Sequence, residues 1–344
     1  MALAATSSSL GANSGWLAGG PATVLGASWS PDGGHLLVWS QADASGLHSV
    51  QLLDADGELV RSFDAITVAW LDPDSYLVGQ TDSSSVAHVS SGTVDSAGGS
   101  LGSVWLASGD GAVAYLDSPN PSIFDEPGPA DHFAVWSRGG IVAGAPGRPV
   151  AWSPDGSKLV VWHYQRRTGS VGGQPFGTIA VLAWPGLRQL AGWPDVSAAV
   201  SPVRFDPMSR YLEIPTYGYS IADLTIGAFT ARDVATGSAP VWNASSDLVM
   251  PSLDGKVTTY ALDGRSLGSR QAGDSVAGST NGRTIVYFWW ESSRPLIVST
   301  AGSARTLSAP GRLADYPEIS ADGAHVAILC NMASGARAFL LRTP

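Results

Sequence analysis

The sequence predicts an all-β protein assembled from repeated hairpins, and three observations support this fold class. Glycine (41 residues) and proline (22 residues) occur often enough along the 344 residues to break up long helices. Hydrophobic residues make up 44% and charged residues only 14%, which favours a large core. Finally, residues 28–40 read SWSPDGGHLLVWS and residues 151–164 read AWSPDGSKLVVWHY, so one pattern occurs twice.

Each copy of this pattern has the composition of a strand, a tight turn and a second strand. Proline fixes one φ angle of the turn, and the glycine of Pro-Asp-Gly adopts φ angles that other residues avoid. The Leu-Leu-Val-Trp or Leu-Val-Val-Trp that follows has the aliphatic and aromatic content of a buried strand. The pattern therefore predicts a β-hairpin with its turn at Pro-Asp-Gly.

Similar hairpins recur along the chain at intervals of about 40 residues. Aligned on the residue that matches Trp29, they give units whose anchors are Trp29, Trp70, Trp105, Trp152, Phe205, Trp242, Ser279 and Ser320. Each interval also has room for a third and a fourth strand, as in residues 49–63 and 256–267. This period predicts a β-propeller of eight four-stranded blades. Seven blades is the alternative, because the unit at 276–287 has no aromatic anchor.

The last unit predicts how the ring closes. Too few residues follow Ser320 to complete a four-stranded blade, whereas residues 15–19 precede the first blade without a blade of their own. We therefore expect residues 15–19 to pair with residues 337–342, which removes the open edges of the first and last blades. The chain, 1–344, is then one propeller domain, with residues 1–13 as a flexible N-terminal segment.

Three of the turns resemble a known repeat. They are similar to the signature of the TolB-like, or WD40-like (PD40-type), β-propeller repeats of bacteria, and they read Trp29-Ser-Pro-Asp-Gly-Gly34, Trp152-Ser-Pro-Asp-Gly-Ser157 and Ser320-Ala-Asp-Gly-Ala324. The other units keep the hairpin but lose the serine or the glycine, and nothing matches the separate N-terminal domain of TolB. The resemblance implies an extracytoplasmic protein, periplasmic or at the cell surface, that acts in protein interaction. It does not carry over the partner of TolB.

The charge and hydropathy of the chain bear on its partners. The formal net charge is −10, and the positive charges are scattered, with Arg166 and Arg167 as the densest pair. Because phosphate binding needs a basic stripe, we expect no nucleic-acid partner. No apolar run reaches about 18 residues, so we expect no direct membrane insertion of this chain, while a removed signal peptide or anchor stays open. We also expect a monomer.

The motifs of common catalytic and metal sites lack their usual contexts here. Gly-x-Ser-x-Gly occurs at 98–102 and 264–268, but neither copy lies between a strand and a helix, as a nucleophile elbow requires. The six histidines are spread over separate elements without zinc-ligand spacing. Asp-Ala-Asp-Gly at 54–57 runs directly into a strand, unlike a calcium loop. We therefore predict no catalytic centre, no metal and no cofactor, and we place Cys330 in the core as a buried thiol.

The candidate binding residues lie in the loops between second and third strands, which share one face of a propeller. In blades 3, 4, 5 and 7 these loops combine aromatic side chains with charges of both signs, a composition typical of binding surfaces. The residues are Phe124, Asp125, Glu126, His163, Tyr164, Arg166, Arg167, Tyr217, Tyr219, Trp290 and Glu291. The alternative is that the acids only neutralise the arginines and hold two long loops in place.

These observations favour a non-enzymatic propeller that binds a protein or peptide. The alternative is a small-ligand-binding propeller, or an enzyme similar to the propeller lactonases and lyases, acting at the central channel. Such enzymes gather carboxylates or histidines around the axis. The predicted inner strands offer few ionisable residues, namely Arg204, Asp206 and Glu318. The sequence therefore predicts binding rather than catalysis.

Overall fold

Eight antiparallel β-sheets follow one another along the chain and form an eight-bladed β-propeller. The computed structural model describes residues 17–19, 23–40, 44, 46–99, 101, 103–108, 110–117, 131–137, 140–165, 176–197, 203–215, 219–234, 239–290, 292–300 and 303–343. The prediction of eight blades is confirmed, and the alternative of seven is wrong. The segment 1–13, which we predicted to be flexible, lies outside the described residues.

The blades use consecutive strands, apart from the short first strand β1 (Leu17–Gly19). Blades 1 and 2 contain β2 (Val24–Trp29), β3 (His35–Ser40), β4 (His48–Asp54) and β5 (Leu59–Ala65), then β6 (Thr67–Asp72), β7 (Ser75–Gly79), β8 (Ser83–His88) and β9 (Val94–Gly99). Blades 3 and 4 contain β10 (Ser103–Ala107), β11 (Ala112–Leu116), β12 (His132–Ser137) and β13 (Gly140–Pro146), then β14 (Arg148–Trp152), β15 (Lys158–Gln165), β16 (Phe176–Ala183) and β17 (Arg188–Ser197).

The second half of the ring repeats this plan with shorter inner strands. Blades 5 and 6 contain β18 (Arg204–Phe205), β19 (Tyr211–Pro215), β20 (Tyr219–Asp223) and β21 (Ala228–Ala231), then β22 (Val241–Trp242), β23 (Leu248–Pro251), β24 (Lys256–Tyr260) and β25 (Ser266–Gln271). Blades 7 and 8 contain β26 (Ser275–Gly278), β27 (Thr284–Phe288), β28 (Leu296–Thr300) and β29 (Ser303–Leu307), then β30 (Arg312–Leu313), β31 (Glu318–Ile319), β32 (His325–Met332) and β33 (Gly335–Arg342).

The hydrophobic core lies in the seams, by which we mean the interfaces between neighbouring blades. Eight core clusters occupy the eight seams, one cluster in each. In the seam between blades 4 and 5, for example, Val160 and Trp162 pack against Leu212 and Ile214. Because a lone four-stranded sheet cannot bury both of its faces, neighbouring blades stabilise each other around the ring.

The repeated turn between the first and second strands is held by a serine and an aspartate. The Ser30 hydroxyl donates to Asp32 Oδ1 at 2.7 Å and accepts from the backbone N–H of His35 at 2.9 Å. Gly33 has a φ of +74°, a conformation that glycine adopts without steric cost. The same serine and aspartate bonds recur in blade 4, at Ser153 and Asp155. This side-chain chemistry explains why Ser-Pro-Asp-Gly marks the hairpin in the sequence.

Two of the predicted anchors are wrong by one position. Ser279 and Ser320 accept a hydrogen bond from the first backbone N–H of the second strand, as Ser30 does. They therefore begin the turn and do not end the inner strand. The anchor positions of blades 7 and 8 hold Gly278 and Ile319 instead.

A third predicted anchor, Trp105, is wrong by two positions. A β-bulge between Ser103 and Leu106 shifts the register of β10, so that Ala107 ends the inner strand of blade 3. Ser108 then takes the place that opens the turn, because its hydroxyl donates to Asp110.

Four anchor tryptophans connect neighbouring inner strands by hydrogen bonds. In each case the indole Nε1–H donates to a backbone carbonyl of the preceding blade, at the residue just before that blade's anchor. The bonds run from Trp29 to Glu318 (3.2 Å), from Trp70 to Ser28 (3.0 Å), from Trp152 to Leu106 (2.8 Å) and from Trp242 to Arg204 (3.1 Å). A buried indole N–H is thereby satisfied, and the spacing between inner strands is fixed.

The N-terminal strand closes the ring, as predicted. Strand β1 pairs antiparallel with β33, with Leu17 opposite Leu340 and Gly19 opposite Ala338. The outer edge of blade 8 is therefore supplied by the start of the chain. Strands β30 and β31 both pair with β32 and together form the inner edge of that blade.

Cys330 is fully buried in the seam between blades 7 and 8, which confirms its predicted core position. Burial raises the pKa of its thiol to about 11. The described part of the chain has no helix with the length and hydropathy that crossing a bilayer requires.

Candidate functional site

The inner strands surround a central channel that consists of two connected cavities. A cavity of about 770 Å³ lies against blades 8, 1, 2, 3 and 4, and a cavity of about 380 Å³ lies against blades 4 to 8. The two share the lining residues Trp152, Pro154, Thr280, Glu318 and Ile319. Volumes of this size are typical of sites for small molecules.

In every blade this channel is lined by the anchor and by the residue before it, and the residue before the anchor is the position that differs in charge. Six blades place a small or aliphatic residue there: Ser28, Ala69, Leu106, Ala151, Val241 and Ala277. Blade 5 places Arg204 there and blade 8 places Glu318. The channel is thus uncharged at six of these eight equivalent positions and charged at two.

Arg204 has a buried carboxyl group beside it. Its Nη1 donates to the carbonyl oxygen of Pro240 at 2.6 Å, and Glu213 is its cross-strand partner on β19. Glu213 is fully buried, and neither of its carboxyl oxygens has a hydrogen-bond partner. Burial raises the pKa of Glu213 to about 8, against the opposing charge of Arg204. Glu213 is therefore mostly protonated at neutral pH.

Glu318 is exposed to the channel, whose protein walls surround it. Desolvation by these walls and the Asp315 carboxylate raise the pKa of Glu318 to about 7, and Arg204 acts in the opposite direction. Among the described residues, no ion pair joins Arg204 to Glu318 or to Glu213. Arg204 therefore acts electrostatically on each glutamate without forming an ion pair with either.

An aromatic rim lies at one mouth of the channel, and we define it as Trp289, Trp290 and Tyr316. The tryptophans follow β27, where the second strand of blade 7 ends, and Tyr316 lies just before the inner strand of blade 8 and lines the channel. The Trp290 and Tyr316 rings lie 4.8 Å apart between centroids. Arg294 lies over the Trp289 ring at 4.4 Å. The rim belongs to the face that carries the loops between second and third strands, which we call the loop face.

Most of the predicted binding residues cannot be placed on this face. Phe124, Asp125, Glu126, Arg166, Arg167, Tyr217 and Glu291 lie outside the described residues, as does the side chain of Tyr164. His163 lies at the loop-face end of β15, is partly buried, and has a pKa lowered by burial. Trp290 is 39% exposed on the loop face. Of the predicted residues whose side chains the structure describes, which are His163, Tyr219 and Trp290, Trp290 is the exposed one.

The predicted surface position of Tyr219 is wrong. Tyr219 begins β20 and is buried in the seam between blades 5 and 6, where it packs with Trp242 and Met250. The second tyrosine of the predicted loop is therefore the first residue of the strand, and its ring packs in the apolar seam.

Two further differences concern the charged residues of blade 5. Asp206, an expected channel residue, instead holds the turn: it accepts hydrogen bonds from Tyr211 N at 2.6 Å and from Ser246 Oγ of blade 6 at 2.6 Å. Glu213 was missed by the sequence analysis, which considered only inner strands. An alignment of the repeats could have found it, because the equivalent positions in blades 1 and 2 hold the apolar residues Leu37 and Leu77.

Within the part of the chain that the structure describes, no three His, Cys, Asp or Glu side chains come together to hold a metal ion.

Comparisons with known proteins support the fold. No family model matches the sequence, and no curated relative matches it either. A structure titled the Dos1 propeller is 11% identical, with a TM-score of 0.60 over 96% of this chain and 95% of that one. A eukaryotic initiation factor is 13% identical, with a TM-score of 0.57 over 90% of this chain and 82% of that one.

An oligogalacturonate lyase in complex with manganese is also similar. It is 12% identical, with a TM-score of 0.55 over 98% of this chain and 95% of that one. Identities this low show a shared fold and nothing finer. The fold and the comparisons together define the class of this protein as a β-propeller.

Proposed function

We propose that the protein is a non-enzymatic binding propeller that recognises a protein or peptide on its loop face. The observation that supports this best is Trp290. It is the one aromatic residue among the exposed large hydrophobic side chains that the structure describes. Exposed tryptophan, tyrosine and arginine are the residue types that dominate binding energy at protein interfaces.

The contacts of Trp290 hold it ready for a partner. Its ring packs at a tilt of 34° against Tyr316, and its backbone N–H donates to Asp274 Oδ1 at 2.7 Å. Tyr316 in turn packs edge-on against Phe288, with ring centroids 5.3 Å apart. The backbone of Trp290 is held by a hydrogen bond and its ring by a contact with Tyr316. Such a side chain loses little conformational entropy on binding, which favours affinity.

The charge of Arg294 complements the aromatic rim. The guanidinium lies over Trp289, while the Trp289 ring itself packs on Gly255 of blade 6. An arginine stacked on an aromatic ring keeps its outer N–H groups available for acceptors of a partner. Backbone carbonyls and carboxylates of a peptide supply such acceptors.

The resemblance of the turns to TolB-like repeats agrees with this proposal. It supports a bacterial, extracytoplasmic protein whose propeller acts by protein interaction. The lyase among the similar structures acts on oligogalacturonate by its title, and at 12% identity it gives no ground for extending lyase activity to this chain.

The test is capture of partners from envelope and soluble fractions of the source organism, followed by quantitative mass spectrometry. The native protein is compared with a variant carrying Trp290→Ala and Arg294→Ala. Met208→Ala serves as the matched control, because Met208 is 76% exposed and lies in the first turn of blade 5, on the opposite face. We expect at least about a tenfold loss of one specific protein with the double variant and none with the control.

A photo-activated cross-linking residue at position 290, compared with one at position 208, tests direct contact. The same protein should be linked from position 290 only. Equal recovery of all proteins by the native and double-variant forms would contradict the proposal that the partner binds at the aromatic rim.

A further inference from the structure

Blade 5 carries charged or ionisable residues beside the channel at positions where another blade has apolar residues. Blade 2 pairs Ala69 of its inner strand with Leu77 of its second strand. Blade 5 pairs Arg204 with Glu213 at the same two positions. Because burying unpartnered charged or polar groups lowers stability, blade 5 would fold more easily with the residues of blade 2. Polar residues that oppose stability in a cavity are characteristic of functional sites.

The two glutamates control the charge around Arg204. Glu213 faces the seam between blades 5 and 6, since its cross-strand neighbour Ile221 belongs to that core. It lies behind Arg204 and leaves the guanidinium positive. Glu318 lines the same cavity from blade 8, and within the described part of the chain no ion pair joins it to Arg204. Among the described residues, no carboxylate therefore satisfies the remaining N–H groups of the guanidinium.

The aromatic residues around Arg204 and Glu318 form walls that fit a ligand with a small ring. Trp152, Phe205, Trp242 and Tyr316 line the cavity of about 380 Å³ that contains Arg204 and Glu318. Aromatic walls offer flat apolar surface to the faces of a small ring, while a carboxyl group binds hydroxyl groups at its edge. A guanidinium binds a carboxylate through two parallel hydrogen bonds.

We propose that this half of the channel binds a small hydroxylated carboxylate of the size of a uronic acid. The ligand carboxylate pairs with Arg204, its hydroxyl groups bond to Glu318, and its ring contacts the aromatic walls. This site shares Tyr316 with the aromatic rim, but the proposal does not rest on the protein-binding role proposed for that rim.

The test is isothermal titration of the native protein with galacturonate, with galactose as the uncharged ligand of the same size. We expect galacturonate to bind at least about tenfold more tightly than galactose, because only the acid pairs with Arg204. Equal affinity for the two sugars, or no binding of galacturonate at 20-fold excess over about 1 mM protein, would overturn the proposal.

A matched variant separates loss of the site from loss of the fold. The double variant Arg204→Ala with Glu213→Leu gives blade 5 the pair of blade 2, so its melting temperature should equal or exceed that of the native protein. Its affinity for galacturonate should fall at least about tenfold, to that for galactose. Unchanged galacturonate affinity in this folded variant would show that Arg204 does not bind the ligand and would overturn the proposal.

Two single variants assign the remaining contacts. Glu318→Gln should weaken the binding of both sugars several-fold, because it changes the contacts to their hydroxyl groups and leaves Arg204 in place. Arg294→Ala should leave galacturonate affinity unchanged, because Arg294 lies over Trp289 and is not among the residues that line the cavity. That result distinguishes the channel site from the rim, so that failure of either proposal leaves the other testable.

Discussion

At the scale of single residues, Glu213 is the strongest departure of this chain from its own repeat. A fully buried carboxyl group without hydrogen bonds avoids the cost of a buried charge by keeping its proton. Arg204 acts against this by favouring the ionised form, but burial has the larger effect and raises the pKa of Glu213 to about 8. Protonation of this residue therefore contributes to folding stability.

We predict that the free energy of unfolding falls as pH rises from 5 to 8, and that Glu213→Leu makes this dependence shallower. The native state binds the proton more tightly than the unfolded chain, whose glutamate pKa is 4.5. The stabilisation is therefore complete below pH 4.5 and is lost as pH rises through 8. One such group contributes a slope of up to about 1.4 kcal/mol per pH unit within that window. Urea unfolding at pH 5, 6.5 and 8 measures the slope.

Glu213→Gln is the companion variant for this experiment. It removes the titration but keeps a buried polar group, so it should flatten the pH dependence as Leu does while being less stable than the Leu variant at every pH. A slope that stays the same in both variants would show that Glu213 does not carry the pH dependence.

At the scale of the elements, the turns between first and second strands do two jobs. Within a blade, the serine and aspartate bonds close the hairpin, as at Ser30 and Asp32. Between blades, each turn packs on its neighbour: Ser246 donates to Asp206, and Thr284 Oγ1 donates to the carbonyl oxygen of Gly323 at 2.7 Å. These contacts join the turns of blades 5 and 6 and those of blades 7 and 8.

Gly282 tests the packing between turns. Its φ is +68°, and a Cβ atom there would lie 2.7 Å from the carbonyl oxygen of Asn243 in blade 6. Gly227 has almost the same φ, +65°, with no atom within 4 Å of its Cβ position. We predict that Gly227→Ala costs about 1 kcal/mol, from backbone strain alone, and Gly282→Ala about 2–4 kcal/mol. Urea unfolding of both variants measures the difference. Equal losses of stability in the two variants would mean that the turn at Gly282 in blade 7 is not tightly packed against Asn243 of blade 6.

The strand registers show what the sequence could and could not predict for the elements. Pro-Asp-Gly and its variants marked the turns, because side-chain bonds of serine and aspartate act locally and leave a readable pattern. The exact inner-strand anchors of blades 3, 7 and 8 were wrong. A bulge such as that between Ser103 and Leu106 changes which residues pair without changing the apolar character of the strand. The register depends on both paired strands, whereas the hydrophobic pattern describes each strand alone.

At the scale of the whole molecule, the fold followed from the period and the site did not. Eight repeats of a unit that cannot bury its faces alone lead to a ring, and closure by the N-terminal strand followed from the count of strands. The channel site depends on residues from blades 5 and 8, which are distant in sequence. The sequence places Arg204 and Glu318 on predicted inner strands, but so few ionisable residues among eight blades predict no channel site. That the two line one cavity is a property of the folded ring.

Closure of the ring by β1 leads to the last prediction. Removing residues 1–20 deletes β1 and leaves β33 as an open, unpaired edge, whereas removing residues 1–13 leaves β1 in place. We expect the first deletion to lower the melting temperature by at least about 5 °C and to promote association through the exposed edge, and the second to change neither. Thermal unfolding and light scattering of the two shortened proteins measure these effects. The core cluster in the seam between blades 8 and 1 includes Val38, Leu53 and Leu340, so the ring also has side-chain contacts across this seam. If both deletions melted at the native temperature, those contacts alone would hold the ring closed, and the strand pairing would be dispensable.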